Sequence, residues 1–432
     1  MKNWQEHYQE RMITGADAAK LVKSGDRLVF SHACGEPRSL PRELVRRAQD
    51  LKSVEIVHMV PMGEALYCRP EHAASFRHVA LFVGTATREA VWENRADFIP
   101  CMFREIPALF EKELPLDVAI VTISLPDKRG LCSLGVSVDY TKKAVECAEV
   151  VIAEVNPTMP RTHGDSFIPV GDIDYFVEVT TPILALPEGK LSEEEKKIGR
   201  YVAELVDDEC CLQMGIGGIP DAVLKNLGGF KDLGIHSEMI SDGVKALVEE
   251  GAITGRKKTL HRGKIVATFL MGSREFYDWV NDNPMIEMHT VDYTNDPQVI
   301  ARNRKMVSIN SALEIDLLGQ ICADTLGPRQ FSAVGGQMDF VTGARAAEEG
   351  KAIIALPSMT PQGISRIVAT LQRGAAVTTP RTSVDYVVTD FGIAALRGKT
   401  VRARMKALIR IAHPRFREEL EKQAWEIYHL RL

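Results

Sequence analysis

The 432-residue sequence predicts an α/β protein made of two similar domains, each a largely parallel sheet flanked by helices. Three observations predict it. Short apolar runs alternate with helical patterns, one half of the chain resembles the other, and a Pro/Gly-containing join near the middle precedes a well-marked helix start.

The apolar runs come first. "VAIVTIS" (118–124), "VVIAEV" (150–155), "AIIAL" (352–356) and "DYVVTD" (385–390) are rich in β-branched residues. They are too short for ordinary helices and read as buried strands. "SDGVKALVEEG" (241–251) reads as a helix, and other helical stretches separate the strands in the same way. Strands alternating with helices favour parallel pairing, because a parallel connection needs a crossover.

The second observation is internal similarity. "GVSVDYTKKAVECAEVVIAEVNP" (135–157) aligns without a gap to "GGQMDFVTGARAAEEGKAIIALP" (335–357). Gly135 meets Gly335, Asp139 meets Asp339, Tyr140 meets Phe340, Ala144 meets Ala344 and Pro157 meets Pro357. Each piece reads as a glycine turn, a short helix and a strand. "DIDYFVE" (172–178) then resembles "SVDYVVT" (383–389), and upstream "LVKSGDRLVFSHACGEP" (21–37) resembles "LVDDECCLQMGIGGIP" (205–220). Matches in the same order point to a duplicated α/β domain.

The join is the third. "ALPEGK" (185–190) has a linker's proline and glycine, and "SEEEKK" (192–197) opens a helix. Ser192 is the expected N-cap and Glu195 completes a capping box. The expected domains are 1–188 and 189–432.

Composition narrows the function. Hydrophobic residues make up 45% and charged residues 26%, with a net charge of −5. This argues for a soluble globular protein and against a nucleic-acid binder. The N-terminal stretch lacks a signal peptide's apolar core, and no run approaches the roughly 18 apolar residues of a membrane span, so a cytoplasmic protein is expected. The eight cysteines form no CxxC pair and the eleven histidines no HExxH, so no metal site is expected.

Four stretches carry candidate chemistry. "MGIGGIP" (214–220) follows a strand and precedes a helix, so Gly215, Gly217 and Gly218 can bring backbone N–H groups close to a ligand. The alternative is a tight strand-to-helix turn with no ligand. Gly215-x-Gly217 begins a dinucleotide fingerprint, but Pro220 stands where the third glycine belongs. Glu238, in "GIHSEMISDGV" (234–244), falls near the carboxyl end of a strand, where open α/β sheets collect ligands. By position it is either a catalytic carboxylate or a surface or capping acid. Gly335-Gly336 makes a second double-glycine turn. The basic run "TGRKKTLHRGK" (254–264) is either a phosphate contact or a solvated hairpin. No Walker loop and no GxSxG elbow occurs, which weighs against a nucleotide triphosphatase and a serine hydrolase.

Together, "GIGGIPDAV", "GIHSEMISDGV", "SAVGGQMDF" and "EVNPTMPRTHGDSFIPVGDIDYFVE" (154–178) resemble the acetyl-CoA hydrolase/transferase family of coenzyme A transferases over nearly the whole chain. The likeness is to the 4-hydroxybutyrate and butyryl-CoA:acetate types. The resemblance implies a CoA-transferase-like fold of two similar α/β domains. It implies Glu238 as nucleophile and Gly215, Ile216, Gly217, Gly218 and Ile219 as the CoA loop. It further implies a Gly336 amide on the thioester oxygen, an oxyanion role for Asn295, and CoA passing Leu313 in "NSALEIDLLGQ" (310–320). Relatives often carry a lysine in the loop matching "SMTPQGISR" (358–366), which has none here. The resemblance implies a CoA thioester as substrate with no tightly bound cofactor, a carboxylate co-substrate, no membrane or nucleic-acid partner, and a homodimer or dimer-based assembly. The two-domain organisation adds a cleft between the domains as an expected site, and a closed cleft can keep water out. The rival readings are a short-chain acyl-CoA hydrolase on the same scaffold, an NAD-dependent oxidoreductase using "GIGGIP", and a non-enzymatic CoA sensor.

Overall fold

Strand after strand, the apolar runs form the middles of two sheets in the computed structural model, which describes residues 4–187 and 189–431. The chain divides into two units, one of residues up to Pro187 together with Val266–Thr294, the other of Glu188–Ile265 together with Asn295–Leu432.

The first unit holds β1 (Arg27–Phe30), β2 (Val54–His58), β3 (Phe76–Ala80), β4 (Ala96–Phe98), β5 (Val118–Ile123), β6 (Val150–Val155) and β7 (Tyr175–Glu178). They lie in the order β7-β6-β5-β1-β2-β3-β4 and every pairing is parallel. All six residues of β5 are buried, which is why "VAIVTI" has no polar alternation: a strand covered on both faces has no solvent side. Helix α1 (Leu40–Arg46) lays Leu40 and Leu44 against Leu28, Ile56 and Val118. Each such fully buried side chain contributes about 1.5–3 kcal/mol. Helix α2 (Thr141–Cys147) precedes β6 and buries Ala144 and Val145.

The second unit holds α3 (Glu193–Ala203), β8 (Cys211–Met214), α4 (Gly218–Leu224), β9 (Gly234–His236), α5 (Asp242–Glu249), β10 (Met306–Ser311), α6 (Gln337–Ala346), β11 (Lys351–Ala355), β12 (Tyr386–Thr389), β13 (Gly392–Ala395), α7 (Val401–Ile411) and α8 (Pro414–Tyr428). Within this unit the strand order is β13-β12-β11-β10-β8-β9, parallel except for the β12–β13 hairpin. The capping box forms as the sequence predicts: Ser192 Oγ accepts from the Glu195 amide at 3.2 Å and the Glu195 carboxylate accepts from the Ser192 amide at 2.8 Å. The core packs Ile315, Leu317, Ile354, Val387, Met405 and Leu408 together.

The two sheets share a topology. The run β7-β6-β5-β1-β2 corresponds strand for strand to β12-β11-β10-β8-β9, and the repeated segments of the sequence supply β6 and β11, β7 and β12, and β1 and β8. The units are not separated by a single cut, however. Where the sequence reading expects 189–432 to be one domain, residues 266–294 return to the first unit. They are held there by Val138 N–H to Thr268 O at 3.2 Å, Leu270 N–H to Val136 O at 2.8 Å and the Asp165–His289 contact at 2.7 Å. Glu188, in the expected linker, lies outside the described residues. Among the described residues no helix is long and apolar enough to cross a membrane.

The first unit buries neutral imidazoles. His78 Nδ1 lies 3.0 Å from Ile56 O and His58 Nδ1 lies 2.9 Å from the Tyr67 hydroxyl. Burial lowers the pKa of both, His78 to about 4. A histidine whose folded pKa lies below its unfolded value contributes stability above about pH 6.5, and that stability is lost as pH falls toward 4. For His78 the loss amounts to roughly 3 kcal/mol. Glu36 acts in the opposite direction, since burial pushes its carboxyl up to about 7. His78→Phe, compared with wild type, isolates the histidine contribution. The denaturation midpoint of the variant is expected to fall less between pH 6.5 and 4; parallel curves would show that His78 does not report on folding.

Candidate active site

The site is built at the carboxyl ends of β8, β9 and β10, all within the second unit. Strand β9 ends at His236, and Glu238 follows just before Met239–Ile240 and α5. Ser237 fixes this corner: its hydroxyl donates to Met214 O at 3.0 Å and accepts from the Met214 amide at 3.3 Å. That ties the end of β9 to the end of β8 and turns Glu238 outward, half-buried between two buried neighbours. The serine lies inside "HSEM", yet no spacing rule announces its role.

Asn295 is wholly buried, and its Nδ2 donates to Glu238 Oε2 at 2.8 Å. Its Oδ1 is buried without a partner among the described residues. Gly336 completes the cluster. A Cβ on Gly336 would overlap both Glu238 Oε2 and Asn295 Nδ2, so only glycine lets these groups meet its backbone. Gly335 holds φ +53°, and Gly336 caps the start of α6, the first turn of which packs Phe340 against His236 with ring centroids 6.3 Å apart. The three residues expected to do the chemistry are thus assembled around one carboxylate oxygen, although they lie on three separate stretches of chain.

The glycine loop is less uniform than its sequence. Gly217 has φ +109°, a conformation that side chains resist, and caps α4. A Cβ on Gly215 or Gly217 would meet nothing within 4 Å, so both face open space. Ile216 is 45% exposed between them. Gly218 differs, because a Cβ there would run into the Glu195 carboxylate of α3. Its glycine serves helix packing, and Ile219 is buried in the core. Leu313, half-buried, donates its amide to Cys322 O at 2.9 Å just beyond β10. Gln213 and Asn310 bridge the ends of β8 and β10 through a reciprocal amide pair at 3.2 and 3.3 Å. In the basic run, Lys258 is buried and its Nζ donates to Ile235 O at 2.7 Å and Lys264 O at 2.9 Å. That lysine anchors β9 and is not a phosphate contact.

A half-buried carboxylate that accepts an amide N–H and lies against the glycine turn at Gly336 is an arrangement able to attack a carbonyl carbon without a proton relay. Residues 1–186 match the acetyl-CoA hydrolase/transferase N-terminal domain and residues 272–424 the acetyl-CoA hydrolase/transferase C-terminal domain. The chain belongs to the acetyl-CoA hydrolase/transferase family. It is an enzyme of the CoA-transferase class. It is 55% identical to the 4-hydroxybutyrate coenzyme A transferase of Clostridium kluyveri, covering 96% of this chain and 98% of that one. It is 33% identical to the butyryl-CoA:acetate CoA-transferase of Anaerostipes caccae, covering 98% and 97%. The crystal structure of RipA from Yersinia pestis superposes with a TM-score of 0.95 at 34% identity, covering 99% of this chain and all of that one.

Proposed function

We propose that the protein moves CoA between short-chain carboxylic acids, 4-hydroxybutyrate or butyrate with acetate as partner, by ping-pong transfer through a thioester on Glu238. The observation that carries this reading is the 2.8 Å contact of Asn295 Nδ2 with Glu238 Oε2, set against the bare backbone of Gly336.

The chemistry suits a carboxylate. Glu238 attacks the acyl-CoA carbonyl carbon; the C–S bond breaks, CoA leaves as a thiolate, and a mixed anhydride forms. The thiolate then attacks the glutamyl carbonyl carbon, the C–O bond to the acyl group breaks, and the first acid departs as its carboxylate. A second carboxylate attacks the glutamyl thioester and the steps run in reverse. No net proton is needed. Each attack places negative charge on a carbonyl oxygen, so fixed N–H donors stabilise the transition states more than a general base would. Asn295 Nδ2 and the Gly336 amide are the donors assigned here, and the open faces of Gly215 and Gly217 receive CoA.

Asn295→Ala removes one such donor and is expected to lower kcat by roughly 10²–10³-fold. Initial rates with saturating acyl-CoA and acetate check it, and an unchanged kcat contradicts the role. The function itself is tested by following thioester consumption with and without acetate. Acetate-dependent exchange, with 4-hydroxybutyryl-CoA or butyryl-CoA consumed as acetyl-CoA appears, supports the reading. Equal thioester loss without acetate identifies a hydrolase instead.

A further inference from the structure

The fold takes several arginines partly out of water, among them Arg38, Arg404 and Arg366. Arg38 has Glu36 at 3.7 Å, and Arg404 feels the charge of Asp316. Arg366 has no carboxylate within ion-pair distance among the described residues, and burial alone acts on it, lowering its pKa. Its Nη1 donates to Leu313 O at 3.0 Å and reaches Ala312 O at 3.5 Å. Its Nε is buried without a partner. The backbone is equally fixed, with Arg366 N–H to Ser358 O at 3.0 Å, Ile315 N–H to Arg366 O at 2.8 Å, and Ile367 paired with Ile315. A half-buried cation held by carbonyls and lacking a counter-charge is costly unless an anion completes it.

Its place in the fold says which anion. Ala312 and Leu313 directly follow β10, and the 356–366 loop follows β11. Glu238 and Gly215 follow β9 and β8 at the same edge, because all four strands are parallel neighbours in the order β11-β10-β8-β9. Through its bond to Leu313 O, Arg366 is held beyond the end of β10, two strands along the same edge from β9, the strand that leads to Glu238. Guanidinium forks match phosphate oxygens, and a cation on the same strand edge as the Glu238 carboxylate, but not beside it, suits the phosphorylated end of a thiol-bearing arm.

We infer that Arg366 binds a phosphate group of CoA and positions the nucleotide end of the substrate while Glu238 engages its thioester. This rests on the CoA-transferase reading above. The test compares wild type with Arg366→Gln and Arg366→Lys, using an acyl-CoA, its dephospho form lacking the 3′-phosphate, and the corresponding acyl-pantetheine, which has no phosphate. Arg366→Gln is expected to raise KM for acyl-CoA by roughly 10–100-fold. Its kcat and its rate with acyl-pantetheine should be unchanged, and Arg366→Lys should recover part of the loss. A loss shared by dephospho-CoA substrates assigns the diphosphate, and a loss confined to full CoA assigns the 3′-phosphate. Equal losses with acyl-CoA and acyl-pantetheine would make Arg366 a structural clamp and overturn the proposal, as would no loss with either. Equilibrium titration with CoA and with pantetheine reads the same difference without turnover. A wild-type protein that binds CoA through Arg366 but exchanges no acid would sink the transferase reading and leave this one standing.

Discussion

Glu238→Ala is expected to lower CoA transfer by roughly 10⁴-fold or more, because it removes the atom that makes and breaks each bond in the cycle. The fold should survive. Glu238 is half-buried at a strand end, and Ser237 and the strand pairing hold the corner around it. Glu238→Asp sharpens the test. It keeps the charge and withdraws the oxygen by one methylene from Asn295 Nδ2, and a displacement near 1 Å typically costs about 10²-fold. The expected order is therefore wild type, then aspartate, then alanine, with melting temperatures close together. Measuring kcat and thermal stability on the same preparations separates lost chemistry from lost structure. Equal activity in wild type and Glu238→Ala would remove Glu238 from the reaction.

The second large effect belongs to Gly336. Its φ of −96° is one any residue adopts, so Gly336→Ala puts no strain on the backbone. The added methyl group instead overlaps Glu238 Oε2 and Asn295 Nδ2, displacing the carboxylate from its donor. Losing one preorganised donor to a developing oxyanion costs about 2.7–4 kcal/mol, or roughly 10²–10³-fold in kcat. Gly336→Pro adds the loss of the backbone N–H itself. If proline is worse than alanine, the amide has its own part in catalysis; if they are equal, the methyl clash accounts for everything. A fully active Gly336→Ala would show that the close approach is incidental. Circular dichroism and melting curves verify that α6, which begins at Gln337, remains formed.

Much of this architecture can be read from the residues, for physical reasons. A strand buried on both faces must be apolar throughout, so "VAIVTI" announces β5. A capping box is a local pattern and depends on nothing distant, so Ser192 and Glu195 fix the start of α3. The duplication, visible as aligned glycines and apolar runs, carries through to matching strand orders in the two units. What the residues do not announce depends on remote stretches meeting. The return of 266–294 to the first unit is made by backbone bonds such as Leu270 to Val136, which leave no periodic trace. The meeting of Asn295 with Glu238 spans 57 residues. In "GIGGI" the glycines look alike, yet Gly215 and Gly217 face open space while Gly218 makes room for Glu195. Arg366 lies in a stretch whose sequence is notable for lacking lysine, and only its missing counter-charge marks it out.

The central claim is that Glu238 becomes the CoA thioester, and peptide-mapping mass spectrometry after brief incubation with acyl-CoA tests it most directly. The account predicts a CoA adduct on the peptide containing Glu238, discharged by acetate and absent from Glu238→Ala. An adduct on a different residue, or sustained turnover with no adduct at any time point, would contradict it.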